Sequence, residues 1–122
     1  MSPDKVIDIQ IEAYNRRDID AFSASYADEI HIMDANGSRP TLIGIEALRE
    51  TFGTKTFARE GLNAEIKSRM VVGNKVIDHE VTTWTGIPVP KESVVVYEVE
   101  NDLIKNVWFF DPFKATILPT EA

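Results

Sequence analysis

Cysteine is absent from these 122 residues. That excludes disulfides, thiolate chemistry and cysteine-ligated zinc. Basic residues are in the minority: 13 Lys and Arg stand against 20 Asp and Glu, a formal net charge of -7. Phosphate binding needs a basic face, so this balance argues against nucleic acid and against docking on an anionic membrane. No apolar run approaches the ~20 residues of a membrane span. The N-terminus breaks its apolar residues with Asp4, Asp8 and Glu12 and does not read as a signal peptide. By absence of any address, the expected location is cytoplasmic. No histidine pair has metal-ligand spacing, and Gly37, Gly44 and Gly53 form no phosphate-cradling loop, so no metal and no cofactor are expected. Repeats, low-complexity segments and internal linkers are lacking too. The length suits one domain over residues 1–122.

What is present is a change of period. Ser2-Pro3-Asp4 is a helix start, with Ser at the cap and Pro at the first helical position. At ~100° per residue, Val6, Ile7, Ile9, Ile11, Ala13 and Tyr14 fall on one arc. Gln10 sits at its centre, either as a structural amide bonded to backbone or as a donor facing a pocket. Asp18 can cap a second helix over 19–26, with Ala21, Phe22 and Ser25 or Tyr26 inward. A strand is expected over 30–34, with Ile30, Ile32 and Asp34 on one face and His31 and Met33 on the other. Ala35 to Pro40 is a turn, and a third helix runs from Ile45 to about Phe57 with Leu48 and Phe52 inward. After Gly61 the pattern is of strands, over about 63–72, 75–85, 92–100 and 103–111. Helices first and an antiparallel meander afterwards means α+β, with the helices on one side of a curved sheet.

The stretch from Tyr14-Asn15-Arg16-Arg17-Asp18 through Tyr26-Ala27-Asp28-Glu29 resembles the N-terminal signature of the NTF2-like superfamily. That superfamily includes ketosteroid isomerase and SnoaL-type polyketide cyclases. The resemblance covers nearly the whole chain. It implies a cone-shaped, cystatin-like fold of three N-terminal helices on a curved, mainly antiparallel sheet around an internal cavity. The run Asp34-Ala35-Asn36-Gly37-Ser38-Arg39-Pro40 is similar to the isomerase's Asp, two residues, Gly, Ser, one residue, Pro. Asp34 then falls where that family carries its general base, and Gln10 where it carries an oxyanion-donating tyrosine. Its second donor, a protonated aspartate, falls near Ser93 or Val94, where no carboxylic acid stands. Asp111 is either a cap at the end of the last strand or, as in several family members, an acid facing the cavity. The resemblance also implies that Tyr14, Phe52, Trp84, Tyr97 and Trp108 bind ligand.

Asp78, Glu80, Thr82 and Trp84 share a face of their strand. The two acids are either solvated or at a sheet edge, or turned toward the cavity. His31 and His79 read as outer residues of the sheet. Two functions remain open. One is an isomerase- or cyclase-like proton-transfer enzyme acting on a small apolar carbonyl compound, with Asp34 as base. The other is a non-enzymatic ligand-binding or dimerisation domain in which Asp34 shapes the turn. Apolar residues on both faces of the last two strands point to a homodimer through the outer sheet face.

Overall fold

The computed structural model of the chain describes residues 1–36 and 39–111. Gly37 and Ser38 of the expected turn, and Pro112 with the tail, lie outside the described residues. Helix α1 spans Pro3–Arg16 and ends where Arg17 turns left-handed (φ 56). It buries Val6, Ile7, Gln10, Ile11 and Ala13, close to the arc expected from its period, although Ile9 is 38% exposed. Asn15 ties α1 to the sheet. Its amide donates to the Ala64 carbonyl and accepts the Ala64 N–H, at 3.0 and 2.7 Å. Helix α2 (Ile19–Ser23) is capped by Asp18, whose Oδ1 accepts the Ala21 N–H at 3.1 Å.

The chain then turns extended sooner than its period suggests. Strand β1 runs Tyr26–Asp34. Tyr26, spaced four residues from Phe22, mimics helical periodicity yet opens the strand. A short strand β2 (Arg39–Ile43), which the turn signal hides, pairs antiparallel with β1 at the sheet edge, where Pro40 is tolerated. Helix α3 (Ile45–Thr51) continues into a π-helical turn over Phe52–Thr56. Strands β3 (Asn63–Val72), β4 (Lys75–Thr83), β5 (Lys91–Glu100) and β6 (Leu103–Phe110) follow. Gly61, just ahead of β3, has φ +72, and a Cβ there would stand 2.7 Å from Thr85 Oγ1, so the position needs glycine.

The sheet order is β2-β1-β6-β5-β4-β3. All pairings are antiparallel except β1 with β6, which is parallel. Three helices on a curved, mainly antiparallel sheet are therefore what the chain forms. Among the described residues the helices pack on the sheet face that carries Val76, Val95 and Val107. Val76, Val95, Ile104 and Val107 supply the sheet's share of the core, and Ile7, Phe22 and Leu48 the helices' share. Phe22 is the hub of an aromatic cluster, 4.8 Å from Phe52 and 5.0 Å from Tyr26 between ring centroids. The core fills one part of the space between helices and sheet. The rest is open.

Candidate functional site

A cavity of about 410 Å³ lies between the helices and the inner sheet face, within the size range of small-molecule sites. Each element delivers its lining by its own period. Helix α1 contributes Gln10 and Tyr14, one turn apart. The π turn closes with Phe57 N–H donating to the Phe52 carbonyl at 2.8 Å. Its wider winding brings Thr51 and Thr56, five residues apart, to the same wall. Strand β4 and the residue beyond it present Glu80, Thr82 and Trp84, and β5 presents Lys91, Ser93 and Tyr97.

Of the two readings of Glu80 and Asp78, the solvated one fails. Both are buried, because β4 is an interior strand and this face points inward. The Tyr97 hydroxyl donates to Glu80 Oε2 at 2.5 Å. Burial pushes the Glu80 carboxyl up to about 7, with the Asp78 charge adding to it, while the Tyr97 hydrogen bond and the Arg69 charge pull the other way. Asp78 is wholly buried and held in a bidentate pair by Arg69, Nε to Oδ1 at 2.7 Å and Nη2 to Oδ2 at 2.9 Å. Arg69 Nη1 also reaches Asp8 on α1 at 2.7 Å. Burial likewise raises the phenols. Tyr14 is pushed up to about 12, with the nearby Glu80 charge adding, and Tyr26 and Tyr97 lie well above their ordinary value. All three therefore stay neutral as hydrogen-bond donors at physiological pH. Tyr14 makes no side-chain hydrogen bond to another described residue.

Gln10 Oε1 is buried with no hydrogen-bond partner among the described residues. A buried orphan acceptor costs about 1–3 kcal/mol. The Gln10 amide is also within side-chain hydrogen-bonding reach of the buried Tyr26 hydroxyl, so Gln10→Leu removes the orphan oxygen but takes that partner from Tyr26, and the two effects, each about 1 kcal/mol, should nearly cancel in the melting temperature. A fall in melting temperature would mean that the amide is already satisfied.

Of the residues singled out from the sequence, Gln10, Tyr14, Phe52, Trp84 and Tyr97 line this one cavity. Asp34 is not among its lining residues. It shares the face of Ile32 and is paired in register with Phe109, both of which do line it. Asp34 Oδ1 accepts the Asn36 N–H at 3.1 Å. Asn36 Oδ1 in turn accepts the Asp111 N–H at 2.8 Å, tying the first turn of the sheet to the end of β6. Asp111 is half-buried and also absent from the lining. Trp108 is absent too, since it lies between Val107 and Phe109 and alternation sends it to the other sheet face. Sequence reasoning did not name Tyr26, Ser93, Arg59 and Lys91 as lining residues and left Glu80 open. The signal for Glu80 was its shared period with Trp84.

Comparison with known proteins bears on this site. A family model described as a SnoaL-like domain matches residues 9–107. Among solved structures, an uncharacterized cystatin-fold protein from Novosphingobium aromaticivorans is 29% identical with a TM-score of 0.80, over 90% of this chain and 98% of its own. A protein provisionally identified as a ketosteroid isomerase, from Kribbella flavida, is 16% identical with a TM-score of 0.76, over 94% and 81%. A computationally designed 17-OHP binder is 18% identical with a TM-score of 0.79, over 93% of each chain. These last two are similar in fold. No curated protein matches the sequence.

Proposed function

This chain belongs to the SnoaL-like domain family, and from that premise we propose that it binds a small, mainly apolar carbonyl compound in its cavity and moves a proton on it. The carrying observation is the buried Glu80 carboxyl, held by Tyr97 and raised to about 7, in a cavity that also holds the unpartnered Gln10 acceptor. A general base works best when its pKa is near the working pH. Glu80 takes a proton from the carbon that lies between the ligand's carbonyl and a C=C bond; the double bond shifts into conjugation with the carbonyl, and Glu80 returns the proton to the far carbon of the original C=C bond. The neutral Tyr14 hydroxyl donates to the carbonyl oxygen, where negative charge grows. No other reactant is needed for such an isomerisation. The likeness in fold to a provisional ketosteroid isomerase and to a 17-OHP binder is in keeping with a polycyclic ligand.

Asp34 is the second site for the base, favoured by its place beside Ile32 and Phe109 at the cavity's edge. One experiment separates the readings. The protein is incubated in deuterated water with a panel of steroids, polyketide fragments and cyclic ketones, and exchange beside the carbonyl is followed by NMR. Exchange lost in Glu80→Gln and kept in Asp34→Asn supports Glu80; the reverse supports Asp34. A ligand that raises the melting temperature without any exchange supports a non-enzymatic binding domain.

A homodimer is part of the same proposal. Val94 and Phe110 are 40% and 41% exposed and face each other in register on the outer sheet face, with Met70 and Val72 further along it. A contiguous apolar face of this kind favours a partner. Light scattering at micromolar concentration should read twice the monomer mass, and a monomer mass would refute the dimer.

A further inference from the structure

Resting on the same cavity, we propose that its ligand carries an anionic group, held at the mouth by Arg59 and Lys91 while the uncharged end meets Gln10, Tyr14 and Glu80 inside. Both cations line the cavity. Lys91 alternates with the buried Ser93, Val95 and Tyr97 on β5 and so stands on the inner face, opposite Thr82. Arg59 comes from the opposite side, beyond the π turn, and its guanidinium lies over the Trp84 ring at 4.2 Å. That contact holds the group against the cavity wall, and among the described residues none of its N–H donors is taken by another side chain or by backbone.

Charge makes the placement informative. Acids outnumber bases by 20 to 13, yet neither cation has an ion pair among the described residues. By contrast Arg49, Arg69, Lys75 and Lys105 are each paired with a carboxylate. The carboxylate nearest in sequence on β5, Glu92, belongs to the other face and pairs with His79. Two uncompensated cations at the mouth of an otherwise acidic protein steer anions toward the opening. The interior offers the reverse. Glu80 would repel an anion, and the aromatic walls favour an apolar body. A ligand with a carboxylate, sulfonate or phosphate at one end and a carbonyl at the other satisfies both, and the rim pair would then set which way round it enters. This orientation brings the carbonyl end to Glu80.

The test uses two probes of one skeleton, anilinonaphthalene sulfonate and its uncharged parent phenylnaphthylamine, titrated by fluorescence against the whole chain. At low salt the sulfonate should bind roughly tenfold more tightly than the neutral probe, as two partly exposed charge contacts allow. The double variant Arg59→Met, Lys91→Met should erase that tenfold and leave the neutral probe unchanged. Added salt should do the same to the wild-type protein. Both cations are exposed, so the variant should keep the wild-type melting temperature. Ser93→Phe, which fills the cavity, should abolish binding of both probes. If Ser93→Phe blocks both probes but the double variant leaves the sulfonate untouched, the anionic-ligand inference fails and the cavity stands. If neither probe binds, or both survive Ser93→Phe, the cavity reading fails and the inference falls with it.

Discussion

Glu80→Gln should lower proton exchange on a bound ketone by at least about a hundredfold, the range seen when a positioned acid or base is removed. Gln keeps the shape and can still accept the Tyr97 hydroxyl, but it cannot hold a transferred proton. The wild-type rate should rise through pH 7 as Glu80 ionises. A base with an ordinary carboxylate pKa would reach its plateau by about pH 5. Stability should run the other way. In the folded chain Glu80 keeps its proton up to about pH 7, whereas in the unfolded chain it loses it near 4.5. Between those values the folded state binds the extra proton, so stability falls as pH rises across the window. The loss amounts to about 3 kcal/mol, on the order of 1.4 kcal/mol for each pH unit of the window. Urea denaturation at pH 5 and pH 8 checks this, and Glu80→Gln should flatten most of the difference. Unchanged exchange together with an unchanged pH profile of stability would remove Glu80 from the mechanism.

Arg69→Met should be the most destabilising of the single changes considered, at about 3–5 kcal/mol, because it strands a buried charge. Asp78 has no exposed surface and takes both of its charged hydrogen bonds from Arg69. The same guanidinium anchors Asp8 of α1 to β3, so the helix that carries Gln10 and Tyr14 loosens with it. Adding Asp78→Leu to Arg69→Met should recover most of the loss, since an apolar pair of similar volume leaves no charge to solvate. Urea denaturation of the two variants separates this from a simple packing defect. A cost under about 1 kcal/mol for Arg69→Met would mean that water reaches Asp78 and that the pair behaves as a surface ion pair. In the single variant the Glu80 pKa should also rise further, because Arg69 is one of the groups that lower it.

Gln10 was legible because a helix states its buried face plainly. An amide in the middle of an apolar arc must either be satisfied or serve a ligand, and here its oxygen has no partner among the described residues. Glu80 was left open by the opposite logic. Its strand puts Asp78, Glu80 and Thr82 inward and Ile77 and Val81 on the other face, so the site-forming side looks like the solvent side. Polarity is a guide to direction only where the interior is plain core. Tyr26 was assigned to a helix because its spacing from Phe22 suits both a helix turn and an aromatic stack across a helix–strand junction. Strand β2 escaped notice because it has five residues, one of them Pro40, at the sheet edge. Trp108 was expected as a ligand contact on the family resemblance alone. The alternation that brings Phe109 to the cavity takes Trp108 away from it. The fold was readable because the change from period 3.6 to period 2 is a property of whole segments. The site depends on which face of β4 turns inward, and that is decided by tertiary packing.

The most direct test of Glu80 as the proton carrier is its own titration, followed by carbon NMR of the side-chain carboxyl in glutamate-labelled protein, with Glu80→Gln assigning the signal. A midpoint near 7 is the expected result, and it should move when a ketone from the panel is bound. A midpoint near 4.5, unmoved by any ligand, would mean a solvated carboxylate and would contradict both the buried site and the proton transfer built on it.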